Sequence, residues 1–346
     1  MNIVVLMGGL SPERDVSLTS GSLIANALIR RGHRVCLLDV YLGMPLSPKG
    51  MDECFVTEPY PAYSVGEQVP DLEALKAASG NGEAKIGANV IPLCKYADVV
   101  FMALHGDMGE NGQLQATLDS FGIRYTGSGY VGSLLAMDKD LAKKMLVGAG
   151  VPTPAWKLVD LTHGVPEEAP VRIGYPCVVK PCSGGSSVGV SMVDNAGQFA
   201  DAMQAAARYE RYVLVEQRIT GRELTVGILA GEVLPAIEII PREGFYDYAN
   251  KYQGGKTEEI CPAPIEEHTR VQVGELTLRA FDALRLSGYA RFDWMLDEEG
   301  GLWCLEANTL PGMTPTSLLP QMAAEIGLDY DSLCERLVQL ALSSVY

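Results

Sequence analysis

ARFDWMLDEEGGLWCLEAN, Ala290 to Asn308, is the stretch on which the organisation of this chain turns. Two strand-like apolar runs, Ala290 to Leu296 and Leu302 to Asn308, flank DEEGG, which reads as a tight hairpin connection. Pairing Asp297 with Leu302 sets Asp293 opposite Glu306 and Arg291 opposite Asn308. Alternation then sends these four to one face, and Phe292, Trp294, Trp303, Leu305 and Ala307 to the other. Two carboxylates opposite each other repel unless something positive lies between them. Asp293, Glu306 and Asn308 offer hard oxygen donors, the set Mg²⁺ takes when phosphates complete its octahedron. A solvated hairpin face on which Arg291 neutralises both acids is the competing reading.

Working outward, CVVKPCSGGSSVGVSMV (Cys177 to Val193) gives two strand runs joined by a Gly/Ser-rich turn. Lys180 ends the first run, and residues 183–189 supply backbone N–H groups and hydroxyls that can close over phosphate oxygens. This is not a Walker A loop, because its lysine precedes the glycines and it leads into a strand. The N-terminal segment predicts a strand (Asn2 to Met7), a glycine loop, an amphipathic helix (about Ser17 to Arg31) and a second strand (Arg34 to Val40). That order is a βαβ unit with a parallel sheet. Its glycines lack the G-x-G-x-x-G spacing, so NAD falls behind as a ligand.

Between these landmarks, Gly43 to Lys95 is rich in Pro, Gly and acidic residues, with a helix expected at Leu72 to Ala78. A buried strand ending at His105, a helix and a short strand ending near Gly127 follow. GSLLAMDKDLAKKMLVGAG (Gly132 to Gly150) predicts one helix, stopped by its glycines and by Pro152 and Pro154. From Thr220 the chain reads as mostly β until two helices, Ser317 to Ile326 and Asp331 to Ser343.

Composition excludes several classes of function. A formal net charge of -16 argues against a nucleic-acid partner, since binding a polyanion needs clustered Lys and Arg. Eight cysteines without a CxxC pair, beside four histidines, read as reduced buried thiols rather than a zinc site or disulfide framework. No run approaches the roughly 18 apolar residues of a membrane span, and Ile3 to Met7 is too short for a secretory signal. A cytoplasmic protein with no membrane partner is expected.

Nine motifs in order carry a resemblance: GGLSPERDVSLTSG, HGDMGENG, YTGSGYVGS, MDK, VVKPCSGGSSVGV, VEQRITGRELTVG, FYDYANKYQ, ARFDWML and LEANTLPGMTPTS. Together they resemble the D-alanine:D-alanine ligases, ATP-grasp enzymes of peptidoglycan precursor synthesis. The resemblance runs from residue 2 to about 340 and is weakest over Gly43 to Lys95. It implies an α/β fold class: a three-domain ATP-grasp fold with an N-terminal parallel-sheet βαβ domain on the substrate side (1–127). Two α+β domains that sandwich ATP follow, a central one (128–217) and a C-terminal one with the Mg site (218–346).

The same resemblance implies roles. Asp293, Glu306 and Asn308 would bind two Mg²⁺ ions, with Mn²⁺ able to substitute, and ATP is the co-substrate. Lys139 and Lys180 would reach the phosphates, along with Ser187 of the glycine loop. Glu216 would accept from the adenine amino group, backbone from Gln217 to Ile219 would complete the purine contacts, and Glu223 would bind ribose. Glu13 would pair with the amino group of the first D-alanine, and Ser186 would link to Tyr252. Lys251 would join the γ-phosphate as the Phe245 to Thr257 loop closes. Arg291 would support the developing oxyanion, while His105 and Ser317 would position the first and second amino acids. Leu318 would offer a wall suited to a methyl side chain. A homodimer is also implied. Two other classes stay open: a related ligase for different amino or hydroxy acids, and a nucleotide-binding regulator.

Overall fold

β1 (Asn2–Met7) is an unbroken apolar run because it is the middle strand of a three-stranded parallel sheet and is covered on both faces. The computed structural model describes residues 1–63, 70–185, 188–242 and 257–343. The sheet order is β2 (Arg34–Asp39), β1, β3 (Val99–Met102), and Tyr125 adds one parallel bridge to Val100 at its edge. β3 stops three residues short of His105, which lies in the loop beyond it. Helices α1 (Arg14–Arg30), α2 (Leu72–Ser79), α3 (Val90–Tyr96), α4 (Asp107–Glu110) and α5 (Gln113–Ser120) complete this part of the chain.

The expected single helix after Gly132 is two, α6 (Tyr130–Met137) and α7 (Lys139–Gly148). Asp138 adopts extended backbone between them, and its carboxylate accepts from the Leu141 N–H at 3.0 Å, capping α7. The break frees the Lys139 N–H to donate to Cys182 O at 3.1 Å, which ties α7 to the glycine loop.

Next comes an antiparallel four-stranded sheet in the order β4 (Trp156–Asp160), β7 (Tyr212–Gln217), β5 (Cys177–Pro181), β6 (Ser191–Val193). Helix α8 (Ala196–Ala207) seals one face through Phe199, Ala202, Met203 and Ala206. A six-stranded antiparallel sheet follows, built from β8 (Gly221–Leu229), β9 (Glu232–Val233), β10 (Ile237–Pro241), β11 (Thr257–Ile260), β12 (Tyr289–Asp297) and β13 (Leu302–Asn308).

A 17-residue helix, α9 (Glu267–Ala283), interrupts the region expected to be mostly β. Val271, Val273, Thr277 and Gly274 depress its helix propensity and make it read as strand. The helix forms because Val273, Leu276, Ala280 and Phe281 recur at helical spacing and are buried with Val226, Ala290 and Phe292 of the sheet. α6 and α7 pack into the same core through Ala136, Ala142 and Leu146. Helices α10 (Leu318–Glu325) and α11 (Tyr330–Ser343) return to the first core, beside β1 and α1.

In the β12–β13 hairpin, Asp293 pairs with Glu306 and Arg291 with Asn308, as expected. The turn end differs. The Asp297 N–H closes on Gly301 O at 2.9 Å, so Leu296 rather than Asp297 pairs with Leu302. A bulge between Asp293 and Trp294 makes Leu305 the extra residue and restores the register at the acids. The faces expected for Trp303 and Leu305 are therefore corrected. Trp303 pairs with Met295 on the acidic side, its indole donating to Asp297 at 2.7 Å, and Leu305 lines the cavity there with Glu306.

Candidate active site

A cavity of about 640 Å³ lies between the four-stranded and six-stranded sheets. Lys180, Glu216 and Gln217 come from the first sheet, Ile219 from the β7–β8 connection, Glu223, Asp293 and Glu306 from the second, and Lys139 from the start of α7. Eight residues singled out in the sequence thus line one space, of the size that small-molecule sites usually have.

Sheet register assembles its charged wall. Val178 of β5 pairs with Glu216 of β7, and Lys180, two positions along β5, falls on the same face. Lys180 Nζ donates to Glu216 Oε1 at 2.6 Å. Lys143, which the sequence reading passed over, forms an ion pair with Glu216 Oε2 at 2.8 Å. Its spacing four residues after Lys139 on one helix face was the available signal. Burial works against ionisation of Glu216, but Lys180 and Lys143 outweigh it and hold the carboxylate below its ordinary range. Burial also lowers Lys143, against the pull of Glu216.

On the opposite wall Asp293 is buried. Arg291 grips it with two hydrogen bonds (3.0 and 2.9 Å), Thr225 Oγ1 donates to it at 2.7 Å, and Asn308 Nδ2 donates at 3.1 Å. Arg291 thus takes the neutralising role of the competing reading for Asp293. Glu306 stands 3.8 Å from Lys139 Nζ, which donates to Gly184 O at 2.5 Å. Asp293, Glu306 and Asn308 form a hard oxygen set on neighbouring strands, with cations already drawn to it, and its chemistry fits Mg²⁺.

A smaller cavity of about 30 Å³ adjoins this face and shares Lys139, Gly184, Gly185 and Glu306 with the large one. Asn308 and Glu110 also line it. Glu110, in the HGDMGENG motif, was another residue not singled out. It accepts from the Gly106 N–H at 2.6 Å and the Leu310 N–H at 3.3 Å, and burial, with Glu13 nearby, pushes its carboxyl up to about 7. Glu13 follows the loop after β1, which Arg14 fastens by donating to Gly9 O at 2.8 Å and to Asp39. The Glu13 carboxylate leaves no slack against Gly106 and Gly185: an added Cβ there would stand 2.8 and 3.0 Å from Oε2. Burial lowers the pKa of His105, whose Nδ1 donates to Leu310 O at 3.1 Å while Nε2 faces Ser20 Oγ at 3.3 Å.

Ser317 precedes α10, its hydroxyl accepting from the Thr314 N–H at 3.0 Å, and Leu318 is buried in the first core. Ser186, Ser187, Lys251 and Tyr252, with most of the Phe245 to Thr257 loop, lie outside the described residues.

Two family models match most of the chain. A family model described as D-ala D-ala ligase N-terminus matches residues 2–128, and one described as D-ala D-ala ligase C-terminus matches 145–339. The D-alanine–D-alanine ligase of Pediococcus pentosaceus is 39% identical over 342 residues, covering 98% of this chain and 97% of its own. That of Gloeobacter violaceus is 38% identical over 345 residues, covering 99% and 100%. The crystal structure of the Bacillus anthracis D-alanine–D-alanine ligase complexed with ATP superposes with a TM-score of 0.75 at 28% identity, covering 99% of this chain and 97% of that one. Matched by both family models and by relatives along nearly its whole length, this chain belongs to the D-alanine–D-alanine ligase family.

Proposed function

We propose that the protein joins two D-alanine molecules into D-alanyl-D-alanine, with ATP converted to ADP and phosphate, as a cytoplasmic step in making peptidoglycan precursors. The observation that carries this reading is the shared lining. Lys139, Gly184, Gly185 and Glu306 border both a nucleotide-sized cavity and the smaller space beside Glu110 and Asn308. A nucleotide phosphate and an amino-acid carboxylate can meet there.

Glu216 takes the adenine amino group, Gln217 and Ile219 backbone the purine edge, and Glu223 the ribose. Lys139 and Lys180 face the phosphates, and phosphate binding is the role assigned to Ser187 and Lys251 as well. Asp293, Glu306 and Asn308 would hold Mg²⁺, as two ions and with Mn²⁺ as a substitute, which supplies charge neutralisation at phosphate oxygens.

The carboxylate of the first D-alanine attacks the γ-phosphorus, giving a D-alanyl phosphate and ADP. The lysines offset the charge that spreads over the transferring group. Glu13 holds this alanine's ammonium, His105 positions it, and Ser186 and Tyr252 extend the Glu13 link. The neutral amine of the second D-alanine, seated by Ser317 against Leu318, attacks the acyl carbon. The C–O bond to phosphate breaks, the proton lost by the amine leaves with the departing phosphate, and Arg291 stands beside the oxyanion as it forms and collapses. The units 1–127, 128–217 and 218–346, and a homodimer, belong to the same proposal.

The test is phosphate release with ATP and Mg²⁺, with and without D-alanine, followed by product identification by mass spectrometry. Release should depend on D-alanine and yield the dipeptide. Release indifferent to D-alanine, or another product from a mixture of D-amino and D-hydroxy acids, sinks the reading.

A further inference from the structure

Lys143 has no part in the steps above, yet it is among the most buried charged residues described, 1% exposed. Its ammonium is surrounded by Glu216 Oε2 at 2.8 Å, Thr153 Oγ1 at 2.6 Å and Pro154 O at 3.2 Å, and it stands 5.4 Å from the centre of the Trp156 ring. Burying an ammonium is unfavourable unless its partners are close to ideal, so the site is built for this cation. Thr153 carries the contact onward, its hydroxyl donating to Cys304 O at 2.8 Å, two residues before Glu306.

The charges decide what Lys143 does. Glu216 stands between two lysines, but only Lys180 lines the nucleotide-sized cavity. Were Lys143 absent, Glu216 and Lys180 would form a closed neutral pair at 2.6 Å, and an incoming phosphate would compete with Glu216 for the ammonium. With Lys143 present, the three groups carry one net positive charge on the side facing the cavity. We propose that Lys143 is a positioning residue of the nucleotide site: by compensating Glu216 from behind, it leaves the charge of Lys180 available to the ATP phosphates. This rests on the nucleotide reading given above.

The experiment compares Lys143→Gln, Glu216→Gln and the double variant of the intact protein. Calorimetry gives Kd for ATP and for adenosine, and D-alanine-dependent phosphate release gives KM and kcat. Lys143→Gln should raise Kd and KM for ATP about tenfold or more, leave kcat within about threefold and hardly change adenosine binding, because only the phosphate contact is weakened. The double variant restores the single net positive charge but gives up the Glu216 contact to adenine, so the ratio of ATP to adenosine affinity, rather than ATP affinity itself, should return towards that of the wild type. A merely structural lysine predicts no such recovery.

The idea is overturned by unchanged ATP affinity in Lys143→Gln, by equal weakening of ATP and adenosine, or by a double variant whose ATP-to-adenosine ratio is no better than that of the single one. Should Lys143→Gln fail to fold, the double variant, in which Lys180 remains the one charge of the three, carries the test. Selective loss of ATP but not adenosine binding in it overturns the idea. A wild-type protein that neither binds ATP nor releases phosphate with D-alanine overturns the proposed function instead.

Discussion

Glu306→Gln removes one negative charge from the face shared with Asp293 while keeping the side chain's volume. In the folded protein the change is nearly balanced. It relieves repulsion of Asp293 across the strand pair and loses attraction to Lys139 Nζ at 3.8 Å. At an effective dielectric of 20, a unit pair at such a distance is worth about 4 kcal/mol. The Glu306 side chain is 30% exposed, however, so screening leaves a net effect of about 1 kcal/mol or less. Tm should therefore move by no more than about 3 °C. The reaction is far more sensitive, because a hard anionic donor opposite the phosphates is worth several kcal/mol in the transition state. That corresponds to about two to four decades in kcat/KM. The assay is D-alanine-dependent phosphate release over a wide range of Mg²⁺, with thermal melts on the same preparation. Turnover within about threefold of wild type at ordinary Mg²⁺, with Tm unchanged, would refute the assignment of Glu306 to the phosphate-facing site.

Glu110 gives a pH signature. Its folded-state pKa of about 7 lies above the ordinary 4.5, so its favourable contribution is complete below 4.5 and is lost as pH rises through about 7. Glu110→Gln escapes that loss, and its Tm relative to wild type should be higher at about pH 8 than at about pH 5; a difference independent of pH would contradict this. For the product, equal D-alanine and D-lactate offered as second substrate near neutral pH should give mainly dipeptide, because a pocket without an added cation has little to favour lactate over zwitterionic alanine. Predominant ester would overturn that specificity.

The pairing of Asp293 with Glu306 was read correctly from the wrong closure: alternation from the actual Leu296–Leu302 pair would set Glu306 on the other face, and the bulge at Leu305 brings it back. That bulge was not legible, since no local residue type marks an extra position. α9 was missed because Val271, Val273, Thr277 and Gly274 favour strand or loop locally, and burial against the sheet overrides them. The break at Asp138 was hidden for a related reason. An aspartate inside a helical run becomes a cap only where the next N–H has another partner, here Cys182 O. Glu216 and Lys180 were each visible as residues, but their pairing depends on the register of β5 with β7, and the spacing of Lys143 from Lys139 gave its helix face but not its contact with Glu216, which depends on tertiary packing.

The return of α11 to the first core bears on how the chain is made. Arg30 of α1 donates to both carboxylate oxygens of Asp331, at 2.7 and 2.6 Å, across 301 positions of sequence. His33 meets Glu335 at 2.5 Å beside it, while Leu333, Leu337 and Val338 are buried in the core that includes β1 and α1. The parallel sheet, translated well ahead of α11, therefore lacks part of its cover until α11 emerges. At about 5–20 residues per second the wait is roughly 15–60 seconds. During it the apolar side of α1 and its sheet is open to chaperones, or to another nascent chain. Local pairing of β1 with β2 can form before α11 is made, but the complete first core waits for it.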